Sequence, residues 1–160
     1  MAFCRFCGKK LEEGAVCDCA EAVAEIKEKN AESISKLSEN NKAYIERGAC
    51  RILQASVSSM PFENDSFDIA TAFETVYFWP EIETAFKEVF RVLKKGAHFF
   101  ICNEVDGLHK GDEKWPKRIS GMKIYTGEQL SALLTSAGFT GIQTDSLFAK
   151  RYLCVTARKG

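Results

Sequence analysis

The chain has 160 residues, 46% of them hydrophobic and 28% charged, the composition of a folded globular protein and not of a disordered one. Its 22 basic and 22 acidic residues cancel, so no global field draws it to nucleic acid or to an anionic membrane, and neither is an expected partner. No apolar run approaches the ~20 residues of a membrane span, and the start, Met1-Ala2-Phe3-Cys4-Arg5, leads into charge where a signal peptide needs an apolar stretch. A cytoplasmic protein is the expectation.

Seven cysteines are unevenly placed. Cys50, Cys102 and Cys154 stand singly among apolar neighbours and read as small buried hydrophobes. Cys4, Cys7, Cys17 and Cys19 crowd the first 20 residues. Cys4-x-x-Cys7-Gly8 is a metal knuckle, in which a tight turn aims two thiolates at one ion and glycine eases the backbone. Four thiolates suit a closed, structural tetrahedral Zn2+ site, whose binding would provide most of the folding free energy of so short a piece. The segment resembles the short zinc ribbons at the N-termini of many bacterial proteins. It departs from them in spacing, because one residue separates Cys17 from Cys19 where two are usual, and Cys19 is the least secure ligand. An iron–sulfur cluster or four unmetallated thiols are the alternatives. The expected division is a zinc ribbon over 1–20 and a larger domain over 21–160.

From Ala20 to Arg47 the chain is charged and free of glycine and proline. Two helices are predicted, the second capped by Asn30 and ended by Gly48. Cys50–Gln54 reads as a strand, Ser56–Phe62 as a loop, and Phe67–Phe73 as a second strand. Ile82, Ala85, Phe86, Val89, Phe90 and Leu93 recur at helical spacing over roughly 81–95, with Lys94, Lys95 and Gly96 as the stop. His98–Glu104 is a third strand and 105–121 a long polar loop. Thr126-x-x-Gln129 is a capping box opening a helix that Gly138 ends. Closing strands are predicted near 139–147 and 152–158. Strands alternating with helices predict an α/β domain with a largely parallel sheet.

The stretch ILQASVSSMPFENDSFDIATAFETVYFWPEIETAFKEVFRVLKKGAHFFICNE resembles the C-terminal two-thirds of class I S-adenosylmethionine-dependent methyltransferases, type 11-like. Members read "LPF…FD…E…R-V-L-K-P-G-G", and Lys95-Gly96-Ala97 stands where they have Pro-Gly-Gly. The resemblance runs over about 30–158. It implies S-adenosylmethionine as cofactor and a small molecule as methyl acceptor. It implies adenine contacts at Ser56 and Val57, the methionine end of the cofactor beside Phe73 and Glu74, and Tyr77, Phe78 and Trp79 over the methyl-transfer cleft. Asn103 and Glu104 would face the same crevice, beyond the carboxyl ends of the strands. Phe78 and Trp79 have an equal alternative, packing under the next helix.

The glycine-rich GxGxG turn of that family is not found in this sequence, nor are its first strand, first helix and second strand. Glu28 is a poor match for the ribose-binding carboxylate, and neither His98 nor His109 declares itself a base. The expected fold is therefore a partial Rossmann-like sheet lacking its first two strands, preceded by the ribbon. The family's sheet order, 3-2-1-4-5-7-6, leaves a breach that either the Cys50–Gln54 strand closes or a second chain fills. A homo-oligomer or a partner chain completing the sheet is expected. Two functions remain in view: a methyltransferase whose site is completed in this way, and a non-catalytic zinc-ribbon protein that binds a partner.

Overall fold

The computed structural model describes residues 2–3, 10–11, 20–147 and 152–160, with side chains over 27–145 and 152–160. Two compact units emerge, Met1–Gln54 and Ala55–Gly160.

In the first unit, β1 (Ala2–Phe3) pairs antiparallel with β2 (Lys10–Leu11). The four expected zinc ligands, Cys4, Cys7, Cys17 and Cys19, lie outside the described residues. Helix α1 runs unbroken over Ala20–Asn40, where two helices were predicted. Asn30 stays inside it because a mid-helix asparagine costs only about 0.7 kcal/mol against alanine. The break falls at Asn41, whose amide nitrogen bonds back to the Leu37 carbonyl at 2.9 Å. Helix α2 (Lys42–Glu46) follows, and Gly48, at φ 73°, ends it as predicted. Cys50–Gln54 forms no strand. Leu53 is exposed, and an extended segment without a paired neighbour leaves its backbone groups to water.

The second unit is built on a four-stranded sheet of order β3-β4-β6-β5: β3 (Phe67–Phe73), β4 (Leu93–Asn103), β5 (Phe139–Leu147) and β6 (Tyr152–Lys159). This is the 4-5-7-6 end of the order the resemblance implies. The sheet is mixed where a largely parallel one was expected: β3 and β4 are parallel, and the two pairings of β6 are antiparallel. The closing hairpin inserts β6 between β4 and β5, and a hairpin can only be antiparallel.

One face is covered by α3 (Ile82–Val92) and α5 (Gly127–Ser136). Ile82, Ala85, Phe86 and Val89 of α3 are buried as the periodicity predicts, Val92 joins them, and Phe90 is half-buried. Ile82, Phe86 and Val89 share one core with Phe99 and Ile101 of β4, Leu130 and Leu134 of α5, and Val155 of β6. The capping box of α5 is present: the Gln129 N–H donates to the Thr126 hydroxyl at 3.3 Å, and the Thr126 N–H to the Gln129 carbonyl oxygen at 3.0 Å. Gly138 ends α5 at φ 101°, and an added Cβ there would meet the Phe90 ring at 3.3 Å.

The opposite face is largely uncovered. Ile69 and Phe73 of β3 are 59% and 57% exposed. Cys102 and Cys154 face each other across β4 and β6 with sulfurs 3.5 Å apart. Neither is fully buried, and Cys50 is half-buried as well, which corrects the reading of these three as buried hydrophobes. Burial, aided by the neighbouring thiol, pushes the Cys102 thiol up to about 11.

The loop before β3 is clamped from α3. The Met60 N–H donates to the Glu88 carboxylate at 2.8 Å, and the Arg91 guanidinium donates to the Phe62 carbonyl at 2.8 Å and the Asn64 side chain at 2.8 Å. Arg91 also pairs with Glu88 at 2.8 Å and holds its carboxyl below the usual carboxylate range. A lowered carboxyl pKa stabilises the fold above the unfolded value and loses that effect as pH falls through the folded value. Glu88→Gln should therefore flatten part of the acid limb of a stability series run from roughly pH 5 to 2. An unchanged limb would show that another group governs it.

Candidate functional site

Strands β3 and β4 end side by side, Phe73 opposite Cys102, so their carboxyl ends open into one crevice. The chain leaves β3 through Glu74 at φ 55°, a left-handed conformation that costs a non-glycine residue about 1 kcal/mol. The turn is fixed by the Glu74 N–H, which donates to the Cys102 carbonyl at 3.0 Å. It brings the Glu74 side chain against Glu104. Burial raises the Glu74 carboxyl pKa, the Glu104 N–H opposes that shift, the Glu104 charge adds to it, and the Tyr77 hydroxyl opposes it.

A short 3-10 turn, Val76–Phe78, then buries Tyr77. Its hydroxyl accepts from the Val105 N–H at 2.7 Å and faces the Val105 carbonyl at 3.2 Å. Burial pushes the phenol well above its ordinary value, so it stays protonated. Tyr77→Phe should cost ~1–3 kcal/mol, because two buried backbone groups of Val105 lose their partner. A urea melt would measure it, and a loss under ~0.5 kcal/mol would mean that water or relaxation satisfies them.

Glu74, Tyr77, Phe78, Glu104, Trp115 and Met122 line a pocket of about 220 Å³. Trp115 comes from α4 (Lys114–Arg118), a helix inside the segment read as a polar loop. Five residues with a proline in the first turn show no periodicity, so nothing but its aromatic character marks Trp115 in the sequence.

The other expected site residues are distributed. Phe73 lies on the uncovered face with its ring edge-on to Phe100 at 5.7 Å. Ser56 is exposed in a tight turn, where the Ser59 N–H donates to its carbonyl at 3.1 Å. Val57 lines a second cavity of about 260 Å³, with Ile69 and Trp79. Trp79 packs on Phe86 and stacks on Phe99 at 6.2 Å, so it belongs to the core, while Phe78 is exposed at the pocket. Asn103 turns inward: its side chain is fully buried and its amide atoms find no hydrogen-bond partner. Only Glu104 of that pair faces the crevice.

Beyond the pocket, Asp106, His109 and Asp112 bring one ligand atom each to within 4.8 Å of one another. The Asp106 carboxylate contacts the His109 Nδ1 at 2.9 Å and accepts from the Leu108 N–H at 2.9 Å, and Asp112 accepts from the His109 N–H at 3.2 Å. The Asp-x-x-His-x-x-Asp spacing is the signal of this cluster in the sequence, a set that the expectations for His109 alone do not include.

The profile of the methyltransferase domain family matches residues 11–101, more than half of the chain. The chain belongs to that family. A sterol methyltransferase-like protein of Botryococcus braunii is 45% identical over 53 residues, which is 33% of this chain and 14% of that protein. The botryococcene C-methyltransferase of the same organism is 34% identical over 93 residues, 58% of this chain and 24% of the relative. The chain thus spans a quarter or less of these two relatives. A possible histamine N-methyltransferase from Thermotoga maritima shares the fold with a TM-score of 0.61 at 21% identity, over 72% of this chain and 67% of that one. So does a chain from the complex between the Haloferax volcanii Trm112 methyltransferase activator and a methyltransferase, with a TM-score of 0.62 at 16% identity over 71% and 65% of the two chains. Among the described residues no helix is long and apolar enough to cross a membrane.

Proposed function

We propose that the chain transfers a methyl group from S-adenosylmethionine to a small-molecule acceptor. The observation that carries this reading is the pocket at the carboxyl ends of β3 and β4, where Glu74, Tyr77 and Glu104 converge in a domain of the methyltransferase family. Phe73 and Glu74, at the end of β3, would lie beside the methionine portion of the cofactor, Tyr77 over the methyl-transfer cleft, and Ser56 and Val57 against the adenine, which leaves the pocket itself to the acceptor. Bound S-adenosylmethionine supplies an electrophilic methyl group on a sulfonium. The chain's own part is positioning, which accounts for much of the rate in an in-line displacement. The αL turn at Glu74 fixes the carboxylate, and the Tyr77–Val105 bonds fix the pocket wall.

The fit is one-sided, since no glycine-rich turn brings backbone against the cofactor. Binding of S-adenosylhomocysteine to the monomer should be weak, on the order of millimolar. Isothermal titration would measure it. Complete absence of binding at any protein concentration would favour the second reading, a non-catalytic protein that docks a partner through the open edge of β3.

Two further assignments belong to this proposal. The breach at β3 is filled by a second copy of the chain. Cys4, Cys7, Cys17 and Cys19 hold one structural Zn2+ in a 1–20 ribbon ahead of a 21–160 domain. Their spacing supports it, and so does the β1–β2 pairing, which flanks the first knuckle. Elemental analysis should give one zinc per chain, and less than about half an equivalent in gently purified protein would refute the ribbon.

A further inference from the structure

We infer that the pocket between β3, β4 and α4 takes an organic cation, and that the methyl acceptor is an amine. The inference rests on the methyltransferase reading above and names its substrate class. Two carboxylates, Glu74 and Glu104, share the mouth of a pocket whose walls are Tyr77, Phe78, Trp115 and Met122. No lysine or arginine lines this pocket, and the Trp115 ring already takes the Lys114 ammonium at 4.9 Å on its own account, the kind of contact a cationic ligand would make. Aromatic faces beside a carboxylate pair are the arrangement that binds ammonium, through ring quadrupoles and opposite charge. A neutral or anionic acceptor would gain nothing from the second carboxylate and would be repelled if acidic. The volume, about 220 Å³, admits an amine head of trimethylammonium size and leaves a larger tail outside.

The chemistry balances. An acceptor R–NH3+ gives one proton to the Glu74 carboxylate and becomes R–NH2. The nitrogen lone pair forms the N–CH3 bond as the sulfonium C–S bond breaks, and that bonding pair goes to sulfur. The products are the methylated ammonium R–NH2CH3+, neutral S-adenosylhomocysteine and protonated Glu74. Burial and the Glu104 charge raise the Glu74 pKa, which suits a carboxylate asked to accept a proton.

The chain has two tryptophans, Trp79 and Trp115, so its 15N–1H spectrum carries two indole signals, assigned by the single variant Trp115→Phe. Choline titrated into the full chain at millimolar concentration should move the Trp115 signal and leave that of Trp79, which reports the folded core. Its neutral isostere 3,3-dimethylbutan-1-ol should move neither. Glu104→Gln should weaken the choline response about fivefold, and Glu74→Gln serves if the first variant does not fold. Equal responses to choline and the alcohol, or none to choline, would overturn the inference. Addition of S-adenosylhomocysteine separates it from the reading beneath it. Displacement of choline would give the pocket to the cofactor and refute the amine site while the methyltransferase survives. Choline binding with no response to S-adenosylhomocysteine would keep the cation pocket and remove the methyltransferase.

Discussion

Phe99→Ala should bring the Ala55–Gly160 unit to the margin of unfolding. Phe99 is 1% exposed in the middle of β4. Its ring stacks on Trp79 at 6.2 Å and lies 5.8 Å from both Phe86 and Phe139, so it joins β3's exit, α3 and β5 through one side chain. Truncating a buried phenylalanine costs ~3–5 kcal/mol, the lost transfer energy plus the cavity. Domains of this size have ~5–15 kcal/mol in total. A sheet with one face uncovered belongs near the lower end, because the exposed side of β3 contributes little burial. The denaturant midpoint should fall by more than half. His98→Ala, next door on the exposed side of β4, should stay within ~0.5 kcal/mol. Similar losses for the two would mean that the core is not organised around the α3 face.

The parts of this fold written in local pattern were legible. The α3 stripe and the Thr126–Gln129 box are periodic or short-range signals, and both appear as read. What failed depends on partners distant in sequence. Lys94-Lys95-Gly96 looked like the end of a helix, yet Leu93 already begins β4 and Gly96 sits within the strand at φ 83°. Leu93 is fully buried, and its burial draws the chain out of the helix before the glycine. Cys50–Gln54 has strand-like residues and no described strand beside it, and a strand exists only as a pair. The site divides in the same way. Glu74 and Tyr77 came from the family resemblance, and they converge. Trp115 and Met122 reach the pocket only because 105–122 folds back across the strand ends, which no local spacing encodes. Asn103 was placed by strand position alone, and the alternation of β4 sends it inward with Phe99 and Ile101.

The chain should self-associate through β3, and Ile69→Lys should return it to monomer. β4 is the only described neighbour of β3, so the other edge of β3 presents unpaired N–H and C=O groups. Ile69, Phe73 and Phe67 along it are 59%, 57% and 37% exposed. A two-fold axis at this edge would pair β3 with its copy antiparallel, satisfy both rows of backbone groups and cover the same apolar residues twice. Ile69 and Phe73 project from the uncovered face beside this edge, so pairing covers their flanks, and the full-burial value of roughly 1.5–3 kcal/mol per side chain, a gross ~6–12 kcal/mol for the two copies, is an upper bound. The loss of free motion on association takes back at least ~4 kcal/mol of it. What remains, at most ~2–8 kcal/mol, reaches micromolar dissociation only at its upper end, and the new backbone ladder adds to it. The balanced charge of 22 basic and 22 acidic residues sets no long-range repulsion against it. A lysine at position 69 puts one charge from each copy near the axis, the device by which natural edge strands avoid one another. Sedimentation equilibrium should show a monomer–dimer transition that Ile69→Lys abolishes without changing the unfolding midpoint of the monomer. A wild-type chain that stays monomeric at tens of micromolar while unfolding cooperatively would refute the shared sheet, and the cofactor site would then have to be complete within one copy.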